Sequence, residues 1–174
     1  LSKGMQQKVQ FIATVVHQPR LLILDEPFSG LDPINTNLIK DEIRRMNSEG
    51  VSIIFSTHRM EQVEEICEDI VLINQGKNIL QGKVSELKHE FKENLFKIEY
   101  EGALPSDLKA MDDADDDFEI LSDENNVLTI KVENEVVSNR VLNHLIQNGV
   151  FIHNFNEILP SLNEIFIKRV NAAA

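Results

Sequence analysis

The sequence holds a single cysteine, Cys67, so no internal disulfide can form. That excludes a disulfide-stapled secreted fold and makes a reducing cytosol the expected home. Cys67 shares an apolar stripe with Val63, Ile66 and Ile70, where a small buried hydrophobe is the plain reading. No apolar run approaches the ~20 residues that cross a bilayer, so any service to a membrane would run through a partner. Basic residues are scarce: 17 Lys and Arg stand against 29 Asp and Glu, for a formal net charge of −12. Such a balance opposes phosphate backbones and anionic headgroups, and no nucleic-acid partner is expected. A starting methionine is also missing. The residues from Leu1 to Gly4 open inside a motif, and we expect a piece of a longer protein.

What is present suits one domain or two small ones: 174 residues, 42% of them apolar and 26% charged. Residues 9–16 have helical spacing and Pro19 ends them. Residues 21–24 form a continuous apolar run, the mark of a strand buried on both faces in a parallel sheet. Pro27, Gly30 and Pro33 punctuate a loop. A helix over 35–46 closes at Gly50, and a second buried strand covers 51–55. A helix follows over 59–67, then a third strand over 70–73 and a turn at 74–76. Alternating strands and helices predict a parallel α/β sheet.

A helical connector spans 83–92, and composition then shifts. Strands are expected over 95–100, 118–121, 127–132 and 151–155, with helices over 106–111, 136–147 and 161–170. The order from 95 to 155 is β-α-β-β-α-β, the split βαβ order of ferredoxin-like domains. A boundary near Asn94 would separate residues 1–94 from an acidic accessory domain, 95–174. The core of that domain should hold Phe96, Ile98, Tyr100, Phe118, Ile120, Leu128, Ile130, Val132, Phe151 and Phe155. Val137, Val141, Leu142 and Leu145 should face it from a helix.

Four stretches carry chemistry. Leu21-Leu22-Ile23-Leu24-Asp25-Glu26 delivers two carboxylates to a strand's C-terminal end, where ligands bind in open α/β sheets. Asp25 could hold Mg²⁺ through water, and Glu26 could accept a proton from a water attacking a γ-phosphate. An acidic strand end facing water fits the same pattern. His58 follows the neighbouring strand and could hydrogen-bond a phosphate oxygen, or serve structure alone. Ser2 can cap a helix, and Gly4 lets backbone approach an anion; a capped helix without a ligand is the plainer reading. The run of acids over 112–117 lacks the glycine and spaced glutamate of a calcium loop, and reads as a solvated loop.

In order and spacing, Leu1 to Met5, Leu21 to Glu26, Ser29-Gly30-Leu31-Asp32 and Ser56-Thr57-His58 resemble the signature motif, Walker B strand, D-loop and switch histidine of an ABC-family ATPase. The resemblance covers about residues 1–87. Lys3 and Met5 depart from the usual Leu-Ser-Gly-Gly-Gln, while Ser2 and Gly4 are retained. That version is similar to sodium-efflux-type and related export ATPases with an extra C-terminal domain. The Ser161 to Phe166 segment resembles the Ser-Leu-Glu-Glu-Ile-Phe stretch that often closes them. No Gly-x-x-x-x-Gly-Lys-Ser/Thr loop occurs in the chain, and that loop supplies the main grip on ATP.

The resemblance implies an ATP- and Mg²⁺-dependent motor subunit of a transporter, bound to the inner face of the membrane through transmembrane permease subunits. Two ATPase subunits would pair head to tail. Glu26 and His58 would act in cis, Ser2 and Gly4 would touch the γ-phosphate held by the other subunit, and Asp32 would lie at the seam. This chain alone should be inactive. The alternatives are an ABC-type ATPase outside transport, such as a ribosome-associated or DNA-repair member, or a module that binds a ligand through its C-terminal domain.

Overall fold

The computed structural model describes residues 2–108 and 117–172, which form two compact units, Leu1–Val84 and Ser85–Ala174. In the first unit, α1 (Lys3–Val15) starts at Ser2, whose Oγ accepts from the Met5 N–H at 3.3 Å. Gln18, in the left-handed region at φ 53°, and Pro19 stop the helix before β1 (Leu21–Asp25). Asp32 caps α2 (Pro33–Ser48), with Pro33 in the first turn, where its missing N–H costs nothing. Gly50, at φ 91°, turns the chain into β2 (Ser52–Ser56). β2 lies parallel to β1, pairing Leu21 with Ser52 through to Asp25 with Ser56. α3 (Met60–Ile66) follows.

The expectations of a third strand in that sheet and of strands buried on both faces need correction. β3 (Asp69–Asn74) pairs antiparallel with β4 (Lys77–Lys83) in a separate hairpin. Gln75 and Gly76, at φ 48° and 73°, supply the two left-handed residues of its tight turn. Apolar runs are ambiguous here because a hairpin strand and a parallel strand can carry the same residues. In β1 only Leu22 is fully buried, while Leu21 and Ile23 are 52% and 68% exposed. One sheet face packs on Phe11, Phe28, Ile39, Ile43 and Met46; nothing among the described residues covers the other.

The second unit opens with α4 (Val84–Glu90), whose first residue, Val84, ends the first unit. It contains β5 (Leu95–Glu101), β6 (Phe118–Glu124), β7 (Val127–Val132), α5 (Glu135–Gln147), β8 (Phe151–Ile158) and α6 (Leu162–Ala172). The sheet order is β6-β7-β5-β8, antiparallel throughout, as a ferredoxin-like split βαβ requires. The expected helix over 106–111 is described only to Leu108, which is helical; the rest, with most of the acidic run at 112–117, lies outside the described residues.

Asn134 caps α5 by accepting from the Val136 and Val137 N–H groups. The core runs through Phe96, Ile98, Tyr100, Leu108, Phe118, Leu128, Ile130, Val132, Val137, Val141, Leu145 and Val150. Phe151 is 64% exposed and does not join it. A register shift between Glu99 and Tyr100 breaks the alternation of β8, so Ile152 and Phe155 face the core instead. Phe155 stacks on Phe96 with centroids 5.2 Å apart. Leu142 is only half-buried.

α6 opens with a reciprocal cap. Glu164 accepts from the Ser161 N–H at 2.7 Å while its own N–H donates to Ser161 Oγ at 3.2 Å. Leu162 and Ile165 are fully buried. The far end of α6 ties to the segment after α4: Lys168 pairs with Glu93, and the Arg169 guanidinium sits 4.7 Å from the Phe91 ring centroid.

Candidate active site

β1 and β2 end side by side, and the parallel register sets Asp25 beside Ser56. Ser56 Oγ donates to Asp25 Oδ1. One residue on, the Glu26 N–H donates to the Ser56 carbonyl at 3.0 Å, and Glu26 leaves strand geometry at φ 46°. Ordinary strand alternation would send consecutive side chains to opposite faces. The left-handed turn at Glu26 brings its carboxylate over the end of β2 instead.

There Glu26 Oε1 accepts from the His58 N–H at 2.9 Å and meets His58 Nδ1 at 2.6 Å, while Thr57 Oγ1 lies 3.2 Å from Oε2. Partial burial alone would push the Glu26 carboxyl up. The bonds from the His58 ring, the His58 backbone and Thr57 outweigh it and hold the carboxyl below its ordinary value. Glu26 is therefore a carboxylate at neutral pH. The His58 side chain is 82% exposed. With Nδ1 turned to Glu26, its outward nitrogen is Nε2, free to meet a ligand.

The predicted residues fall into two groups. Asp25, Glu26 and His58 share the cluster just described. Ser2, Gly4 and Asp32 gather around α1 and the loop before α2. A Cβ on Gly4 would lie 3.7 Å from the Gly30 carbonyl oxygen and 3.8 Å from Leu31 Cδ2, so the start of α1 rests on the 29–32 loop. Asp32 is occupied with capping. Its carboxylate accepts from the Asn35 N–H at 2.9 Å, and the backbone and side-chain bonds from Asn35 hold its carboxyl below the ordinary carboxylate range. Gln7 adds a bond to the Pro27 carbonyl at 3.5 Å.

Sequence reasoning placed Ser56 and Thr57 in the stretch that ends at His58 but gave them no part in the site, and it missed Gln62. Ser56 holds Asp25, Thr57 meets Glu26, and Gln62, buried on α3, faces Thr57 at 3.4 Å. A usable signal existed in the parallel pairing of the two strands, which places residues 56–58 beside 25 and 26. Asp25 suits Mg²⁺: its carboxylate is exposed, and no cluster of three candidate ligands exists among the described residues. An ion that prefers few carboxylates plus water and phosphate fits there. Cys67, half-buried, is pushed up to about 11 by desolvation and is inert as a thiolate at neutral pH.

Comparison with known proteins places these features among relatives. Residues 82–170 match the family described as ATP-binding protein DrrA1-3-like, C-terminal domain. Residues 1–63 match an AAA domain family. An ABC transporter ATP-binding protein of Bacillus subtilis (strain 168), YhaQ, is 40% identical over 99% of this chain and 56% of its own length. Another, of Alkalihalophilus pseudofirmus, is 38% identical over 99% of this chain and 62% of its own. The fluoroquinolones export ATP-binding protein of Mycobacterium tuberculosis (strain ATCC 25618 / H37Rv) is 37% identical over 58% of this chain and 34% of its own. The chain thus spans little more than half the length of the relatives that match it end to end.

Proposed function

Because the chain belongs to the DrrA-like family of ABC transporter ATP-binding proteins, we propose that it is part of an ATP-hydrolysing motor subunit that drives transport through separate membrane permease subunits. The observation that carries this reading is the hydrogen-bonded cluster of Asp25, Glu26, Ser56, Thr57 and His58 at the ends of two parallel strands.

Glu26 is the proton acceptor for the attacking water, being ionised and held at a fixed place. His58 contacts the γ-phosphate through Nε2. Asp25 would hold Mg²⁺, which would supply positive charge against the phosphates. Ser2 and Gly4 serve the γ-phosphate of a second ATPase subunit paired head to tail, and Asp32 stands at the seam between the two. The motor works at the cytoplasmic face, reached through the permease. No helix among the described residues is long and apolar enough to cross a membrane. The residues present address only the distal end of ATP, since the sequence has no phosphate loop.

Incubated with Mg-ATP, the 174-residue chain should release no phosphate above a protein-free control; turnover abolished by Glu26→Gln would overturn that. In a chain extended ahead of Leu1 by a phosphate-loop segment, Glu26→Gln should keep ATP binding and lose hydrolysis by ~10²- to 10⁴-fold. Near-wild-type turnover would remove Glu26 from the acceptor role. His58→Ala should likewise spare binding and suppress turnover; a melted fold would make His58 structural. Recovery of permease subunits with the extended protein tests the transport assignment.

A further inference from the structure

Among the described residues one charged side chain is buried, Lys40, midway along α2. Taking a charge out of water is costly, and a well-packed apolar residue of similar size often serves stability as well or better. What a buried charge adds is register, because it holds a chosen partner at a chosen place.

The partners of Lys40 come from segments that carry the candidate active site. Its amine lies 5.8 Å from the centroid of the Phe28 ring, two residues beyond Glu26. Phe28 is fully buried and meets Phe55 edge-on, with centroids 5.8 Å apart, directly before Ser56 at the end of β2. The other partner is Glu65 on α3. Its Oε2 accepts from the Lys40 amine, while Oε1 accepts from Arg44 at 3.0 Å. The bond from Lys40, helped by that from Arg44, outweighs partial burial and holds the Glu65 carboxyl below its ordinary value. α3 starts two residues after His58, and Gln62 on it accepts from the Thr57 hydroxyl at 3.4 Å. A helix of seven residues whose cap residue, Arg59, makes no side-chain capping bond is marginal by itself. Its place is set by tertiary contacts.

We propose that Lys40 is a positioning residue for the candidate active site: paired with Glu65 and seated on Phe28, it sets α3, and with it His58, against Glu26. This rests on the reading of Glu26 and His58 as the hydrolytic pair, but its first consequence is visible without ATP.

The test is amide hydrogen exchange on the full chain, read residue by residue by NMR. The His58 N–H donates to Glu26 Oε1 at 2.9 Å, so its exchange reports whether the segment stays in place. Lys40→Met keeps an unbranched chain over Phe28 and loses the pair. Glu65, half-exposed and still beside Arg44, is not stranded. Exchange at His58, Gln62 and Val63 should speed up by roughly three- to tenfold, the size of one hydrogen bond. Amides of the β1–β2 ladder and of α2 should keep their wild-type rates. Arg44→Met, which removes only the exposed arm on Glu65, should move the three amides less. In the chain extended by a phosphate-loop segment, Lys40→Met should lower kcat by roughly tenfold and leave KM for ATP in place, because geometry at the reacting end is what suffers.

Unchanged exchange at His58 in folded Lys40→Met overturns the inference. So does a rise shared equally by every amide of the first unit, which marks plain loss of stability. Faster exchange with unchanged kcat, or Arg44→Met matching Lys40→Met, removes the positioning role from Lys40. If Lys40→Met loses its native spectrum, Lys40→Leu is read by the same criteria. If Glu26→Gln keeps its turnover, the catalytic reading falls and the exchange result stands, so the two failures are distinguishable.

Discussion

The two units bury their apolar residues to very different degrees. In the second, Ile98, Leu128, Ile130, Val141 and Leu145 are each 0% exposed, inside a four-stranded sheet backed by α5. In the first, Ile23, Ile54, Val71 and Ile73 are each more than half exposed. A four-stranded sheet with a helix on one face can enclose its own core, whereas two parallel strands cannot cover both faces of themselves. The residues of the candidate active site all sit on the less enclosed unit. The enclosed unit offers no comparable cluster among its described residues. Enclosure and chemistry are thus divided between the units.

The strongest test of that contrast is a pair of truncations. Ile98→Ala should cost about 2–5 kcal/mol, the range for a buried aliphatic side chain. Ile23→Ala, on the open face, should stay within about 0.5 kcal/mol. Urea titration followed by amide hydrogen exchange reads both, and equal costs would break the comparison.

Alkaline pH gives the next largest effect. Tyr100, the sole tyrosine, is buried in the second unit, and burial together with its bond to Asp123 pushes its hydroxyl up to about 12. The folded state keeps this proton longer than the unfolded chain, so the contribution is complete below pH ~10 and fades as pH climbs toward about 12. Two pH units correspond to roughly 2–3 kcal/mol at most. Tyrosinate absorbance should report the late titration, and Tyr100→Phe should abolish this part of the alkaline loss. A tyrosine titrating near 10 would place Tyr100 in contact with water.

Helix caps should ignore the contrast, because capping is local. Asn134→Ala in the second unit and Asp32→Ala in the first should each cost ~1 kcal/mol by chemical denaturation. A much larger cost for one would tie that cap to tertiary structure. The smallest effect belongs to Arg45, exposed and paired with Glu42 and Glu49. Arg45→Ala should cost a few tenths of a kcal/mol, less at high salt.

The second unit was the more legible of the two in sequence, since period-2 strands and a 3.6-period helix state which side chains meet. The losses came where backbone breaks period. Between the strands expected over 118–121 and 127–132 the turn is only two residues, Asn125 and Asn126, both left-handed, and β6 runs on to Glu124 past a register shift after Ile120. The same kind of shift in β8 exchanged Phe151 for Ile152. In the first unit, Asp25, Glu26 and His58 were legible as chemistry, while the bonds joining them depend on register between strands 31 residues apart in sequence. Thr57 stands in the Ser56-Thr57-His58 stretch and Gln62 on the helix after it, and only three-dimensional neighbours bring them to Glu26.

The left-handed backbone of Glu26, directly before Pro27, sets stability against activity at one position. A glycine would accept that conformation without the crowding that a Cβ brings. Selection for stability alone would therefore favour glycine at 26, and selection for the carboxylate opposes it. Variants of this chain screened only for heat resistance would drift toward losing the group most central to the chemistry, and a screen for improved stability has to hold position 26 fixed.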